Sequence, residues 1–110
     1  MSRIVTLFCL LSLLSCVGKQ SKVELPIARE LVVAVLADVR VAEEMKKPFK
    51  GEARDSAMLV YMDSIYVIHD IDSSQFANVI EVLEDNPKLF ESVEVEVHAK
   101  LKSLLDTEDL

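Results

Sequence analysis

The sequence predicts an all-α fold, a compact four-helix domain that takes up most of its 110 residues. Three observations predict it. Apolar residues recur at intervals of three and four along four stretches, which is the spacing of one helix face. Helix-start and helix-stop residues punctuate those stretches. The body holds a single glycine, Gly51, so the turn chemistry that separates β-strands is scarce. A strand reading competes with this. Val93-Glu94-Val95-Glu96-Val97 alternates with period two, and Leu31–Leu36 and Met58–Ile68 are rich in β-branched residues. The caps and the long stripe of helical period decide for helices.

The first helix is expected over Ile27–Lys46, led by Pro26, because proline suits a first helical turn. Leu31, Val35, Ala42 and Met45 form its apolar face, widened by Leu36 and Val39. Lys46 and Lys47 place positive charge where the helix dipole favours it, and Pro48 ends the helix. Lys50-Gly51-Glu52 reads as a loop. The second helix, Ala53–His69, carries Ala57, Met58, Tyr61, Ile65 and Ile68 on its apolar face. Asp72 then reads as an N-cap with Gln75 at N3, a capping box, and Ile71 and Phe76 have hydrophobic-staple spacing. The third helix runs to about Glu84 through Phe76, Val79, Ile80 and Leu83. Asp85-Asn86-Pro87 is a break and restart, with Asn86 as N-cap and Pro87 at N1. Phe90, Val93, Val97, Leu101 and Leu104 make one apolar stripe along the last helix.

Residues 1–15 have the anatomy of a secretion signal. Arg3 supplies a positive start, and Ile4–Leu14 is an apolar run broken only by Thr6 and Ser12. A membrane span needs about 20 apolar residues, so this run fits a signal-peptide core instead. It closes on Leu13-Leu14-Ser15-Cys16. That tetrad resembles a bacterial lipobox: an aliphatic residue, a variable small or apolar one, Gly/Ala/Ser, then Cys. Cys9 follows bulky Phe8 and would leave too short a core. The resemblance implies cleavage before Cys16, diacylglycerol on its thiol and an acylated amine. Residues 16–25 then form the lipidated cysteine and tether, 26–106 the helical domain and 107–110 a C-terminal tail. A single acyl chain anchors only marginally, whereas a bacterial lipoprotein carries two or three. No unmodified cysteine remains for a disulfide, a metal site or a nucleophile. The expected location is the cell envelope, lipid-anchored at the outer membrane and facing the periplasm. Val17-Gly18-Lys19-Gln20 lacks the acidic run that surface-exposed lipoproteins often carry after the cysteine.

Charge is uneven along the chain. Cys16–Arg54 holds eight basic and six acidic residues, while Asp55–Leu110 holds three basic and thirteen acidic. Nucleic-acid binders neutralise phosphates with clustered Lys and Arg, so nucleic acid is excluded as a partner. Both halves are expected to be ordinary solvated faces; the alternative is that the mildly basic, membrane-proximal half rests on anionic headgroups while the acidic half points away.

The order of these features carries a family resemblance. The first helix reads Leu31…Val35-Leu36-Ala37-Asp38-Val39…Ala42-Glu43. The second ends in Ile68-His69-Asp70-Ile71-Asp72-Ser73-Ser74-Gln75-Phe76, and Asn86-Pro87-Lys88-Leu89-Phe90 leads a final helix ending in Leu101. Together with the lipobox, this resembles the small Bacteroidetes lipoproteins carrying the domain of unknown function 4296, over roughly Pro26–Leu105. The turn after the second helix commonly has Gly in that family, where this chain has Asp70. The third helix commonly has Tyr near its end, where this chain has Leu83 and Glu84. The resemblance implies a membrane-tethered helical domain and no established reaction. The Ile71–Phe76 turn is also loosely similar to helical chaperone domains of periplasmic folding factors.

Asp38 is the polar residue that most needs explaining. Its helical neighbours Ala34, Val35, Val41 and Ala42 are apolar, and it falls on the stripe Leu31, Val35, Asp38, Ala42, Met45. A buried, unpaired carboxylate is costly, so a partner is expected among Tyr61, Tyr66, His69, Arg54 or a helix N-terminus. The expected role is a structural hydrogen bond. His69, Asp70 and Asp72 cluster at a turn, but metal ligation needs three or four converging ligands. Capping accounts for Asp72, and Asp70 tolerates a left-handed position. Glu94, His98 and Lys102 form an i, i+4 series expected on a wet face. Tyr61, Tyr66, Phe76 and Phe90 are expected in the core. With no Ser-His-Asp set and no Gly-rich phosphate loop, the sequence nominates no catalytic residue, metal or cofactor. It points to a non-enzymatic interaction or assembly module, tethered to lipid by Cys16 and partnered by an envelope protein. The alternative is a chaperone-like module that holds extended or unfolded chains.

Overall fold

Helices form where the apolar stripes lie. A computed structural model describes residues 23–108, in which α1 spans Arg29–Met45, α2 Glu52–His69, α3 Ser73–Asp85 and α4 Pro87–Glu108. The lipobox residues Leu13, Leu14, Ser15 and Cys16 lie outside the described residues. No strand occurs among the described residues. The alternating Val93–Val97 segment is helical, with Val93 and Val97 buried one turn apart and Val95 exposed. None of the described helices is long and apolar enough to cross a membrane.

Helix α1 is central. It packs against both α4 and α2, while α3 packs against α4. Val32, Val33, Leu36 and Ala37 of α1 meet Val79 and Leu83 of α3 and Val93 and Val97 of α4 in one apolar cluster. Val35 and Ala42, on another side of α1, meet Ile65 of α2 and Ile71 of the following turn in a second. A helix that is apolar on nearly every side belongs in the interior. The single stripe expected on α1 was therefore half of its buried surface. Met45, at the end of that stripe, is exposed, as are Phe90 and Leu104 on α4. Leu89 packs against the first cluster instead of Phe90.

The start of α1 differs from the expected one. Pro26 and Ile27 form a bend, Ala28 is the N-cap, and the Val32 N–H donates to the Ala28 carbonyl at 3.0 Å. Ile27 packs against both clusters, so the chain turns to seat it before the helix begins. Helix α2 begins after Gly51, whose φ of 58° and ψ of −132° suit glycine and strain any L-residue. Arg54 holds this loop by donating to the carbonyls of Phe49 at 2.8 Å and Lys47 at 3.1 Å.

The corner between α2 and α3 is built from three consecutive residues. Asp70 takes the left-handed conformation, φ 52° and ψ 48°. The Ile71 N–H donates to the Tyr66 carbonyl at 3.0 Å and the Asp70 N–H to that of Val67 at 3.3 Å. This pair of bonds is a Schellman motif. Asp72 then caps α3: its Oδ1 accepts from the Gln75 N–H at 2.8 Å, and Gln75 Oε1 accepts from the Asp72 N–H at 3.0 Å. Ile71 and Phe76 pack into the same cluster, as a hydrophobic staple does.

The break before α4 is a single residue. Pro87 opens the helix, and the Asn86 carbonyl accepts from the Phe90 N–H at 3.0 Å. The Asn86 side chain, expected to cap α4, is turned back onto α3, where its Nδ2 donates to the Val82 carbonyl at 2.7 Å. Helix α4 continues to Glu108, into the segment expected to be a tail.

Two substitutions test these turns by chemical denaturation. Asp70→Gly should raise stability by about 1 kcal/mol, because glycine carries no left-handed penalty. Gly51→Ala should lower it by about 1–3 kcal/mol. A Cβ there would meet no atom within 4 Å, so the loss would come from the backbone and not from a clash.

Candidate functional site

Asp38 meets His69. The Asp38 Oδ2 lies 2.6 Å from His69 Nε2, joining the middle of α1 to the last turn of α2. The Asp38 side chain is 40% exposed and that of His69 15%, so the carboxylate is not buried as its apolar neighbours suggested. It emerges at the edge of the α1–α2 seam, where water still reaches it. His69 lies in the C-terminal turn of α2. The pair is a tie between helices. Among the described residues no hydroxyl or thiol is bonded to His69, and no group of three or more His, Cys, Asp or Glu is placed to hold a metal.

The α1–α4 seam carries a second set of charges that the sequence did not single out. At the start of α1, Arg29 bonds Glu96 at 2.6 Å and Ser92 at 2.5 Å. Further along, Arg40 pairs with Glu94. Glu94, expected on a wet face with His98 and Lys102, is half-buried under Arg40 and lies 3.8 Å from His98. Beside Arg40, α1 and α4 border a groove lined by Val41, Glu43, Glu44, Leu101, Leu104 and Leu105.

The least expected feature is the outward face of α2. This helix of 18 residues has one fully buried side chain, Ile65. Met58, Tyr61, Met62 and Tyr66 pack partly against α1. Tyr66 also meets Phe76, with ring centroids 6.0 Å apart. Burial, and to a lesser degree the Asp63 carboxylate, push the Tyr66 phenol above its ordinary value. On the other side, Val67 is 81% exposed, Ile68 70%, Leu59 68% and Val60 61%. Ile68 was expected in the core; the actual stripe turns through Met62 and Tyr66 and leaves Ile68 outside. Ser64 lies among these residues and donates its hydroxyl to the Val60 carbonyl at 3.0 Å. Its polar group is thus satisfied within the helix; Val60 and Val67 share the outward face with it, while Leu59 and Asp63 lie to one side and Ile68 to the other. The sequence held a signal for this face. Apolar residues surround α2, yet α2 packs mainly against one neighbour, α1.

A family model described as a domain of unknown function (DUF4296) matches residues 25–107. No curated protein and no solved structure matches the chain.

The tie between α1 and α2 is testable by urea denaturation. Asp38→Asn and His69→Gln should each lower stability by about 0.5–1.5 kcal/mol, and the double variant by little more than either. Additive losses would show that the two side chains act separately.

Proposed function

The chain belongs to the DUF4296 family, and from that premise we propose that it is a lipid-anchored protein of the bacterial envelope whose helical domain docks an envelope partner. The lipobox tetrad ending in Cys16 supports the anchor, together with an N-terminal apolar run too short to span a bilayer. The short tether after Cys16, without an acidic run, supports the periplasmic side of the membrane, with the outer membrane as the proposed one. The observation that carries the docking role is the outward face of α2. Isolated exposed aliphatics are ordinary on a protein surface, but α2 exposes four, with Val60 and Val67 side by side on its outward face and Leu59 and Ile68 on its two flanks.

The second reading is a chaperone-like module that holds extended or unfolded chains. The α1–α4 groove favours it, because this groove is a second apolar surface on a different pair of helices. A holdase works through several such surfaces on unrelated clients, whereas a docking module engages one partner through one face.

Two measurements test the proposal. Cys16→Ser should move the protein from the membrane pellet to the soluble periplasm; retention after a salt wash would contradict the anchor. A photo-crosslinking residue placed at Val67 in cells should give one defined adduct, with none from Lys88 at the far corner. A smear of many adducts from both α2 and the α1–α4 groove would favour the chaperone reading.

A further inference from the structure

We propose that the segment seated on the outward face of α2 is a cationic amphipathic helix of the partner protein. This rests on the docking reading above and names the chemistry of what docks.

The argument comes from where charge lies around α2. At about 100° per residue, Val60 and Val67 fall about 20° apart on the helix surface. Glu52, Leu59 and Asp63 fall within about 40° of one another, to one side of those valines. Asp70 follows at the helix end, and Glu52, Asp55, Asp63 and Asp70 are all exposed. The face is therefore an apolar strip bordered by an acidic row. The basic groups of α2 do not neutralise that row. Arg54 is folded back onto the carbonyls of Phe49 and Lys47, and His69 is turned inward onto Asp38.

Such a surface selects its occupant. An amphipathic helix places apolar residues at i, i+3, i+4 and i+7 against a strip of this kind. Lysine or arginine flanking those anchors would meet the acidic row, and complementary charge sets orientation and excludes wrong partners. An anionic lipid surface is disfavoured, because the same row faces it.

The test uses the full chain in neutral detergent and dye-labelled model peptides read by fluorescence anisotropy. A Leu/Lys peptide of amphipathic helical spacing should bind, and its Leu/Glu counterpart should not. Val60→Ser with Val67→Ser should weaken binding about tenfold or more, as expected for two lost apolar anchors. Glu52→Lys with Asp63→Lys should weaken the Leu/Lys peptide by about tenfold or more and admit the Leu/Glu peptide. All four positions are exposed, and a thermal melt confirms that each variant remains folded. Leu/Lys binding that survives the valine changes would reduce the effect to attraction by the net negative chain and overturn the proposal. Equal binding of the Leu/Glu peptide, or binding to phosphatidylglycerol vesicles through this face, would also overturn it. The crosslink at Val67 separates the two levels. A defined adduct on a neutral or acidic segment, or on a second copy, would overturn the cationic helix and leave docking intact. No adduct at all would remove the docking reading itself.

Discussion

The rest of this fold depends on α1 being buried on two sides. Val32, Val33, Leu36 and Ala37 serve the contact with α3 and α4, while Val35 and Ala42 serve the contact with α2. Each fully buried aliphatic side chain contributes roughly 1.5–3 kcal/mol relative to exposure. In a domain this small, that shared helix is the main source of stability. Two of its buried positions are alanine, and a small side chain there lets the neighbouring helices approach closely. The same arrangement sets the periphery. Once α1 is covered on one side by α3 and α4, only one further flank is left for α2. Helix α2 therefore packs with one face and exposes the other.

The junctions hold the helices at the angles this packing needs. Between α2 and α3, Asp70 reverses the chain, Ile71 closes α2 through its N–H while burying its side chain, and Asp72 opens α3. Three residues thus satisfy both helix ends and anchor the corner in the core. The Asp38–His69 tie joins α1 to the last turn before that corner. The left-handed conformation of Asp70 is one that glycine adopts without penalty and aspartate tolerates. Asn86 does comparable work at the next junction by closing α3 one residue before α4 begins.

Charge follows the same division between inside and outside. The basic groups of α1 are spent on α4, where Arg29 and Arg40 hold Glu96 and Glu94. Surface pairs of this kind contribute little to stability, about 0–1 kcal/mol each, but they fix how α1 and α4 lie against each other. Among the described residues the acidic side chains of α2 form no ion pair, and Glu52 and Asp63 stand to one side of the exposed Val60 and Val67. The proposed envelope tether would add to this combination, because tethering raises the effective concentration of a partner in the same layer.

The sequence by itself determined what depends on neighbours along the chain. The number and type of helices, the capping box at Asp72 and Gln75, the restart at Pro87 and the tolerance of Asp70 for a left-handed turn all follow from residues a few positions apart. The order of short motifs that resembles the domain of unknown function is of the same local kind, and the family match over residues 25–107 bears that part of the resemblance out. Tertiary structure decided what depends on which face meets which. A stripe of period 3.6 shows that a helix has an apolar side, but α1 and α2 are apolar on more than one. Sequence alone could not rank those sides, so Val32, Val33 and Ala37 were missed in the core, and Ile68 was misplaced into it. It could name His69 among the candidate partners of Asp38 but not choose it, since the two are far apart in the chain and close only because α2 folds back on α1. For the same reason Glu94 was expected in water, although Arg40 covers it. The outward strip of α2 is legible only after packing has used up the other face, because an uncovered surface is defined by what the remaining helices do not reach.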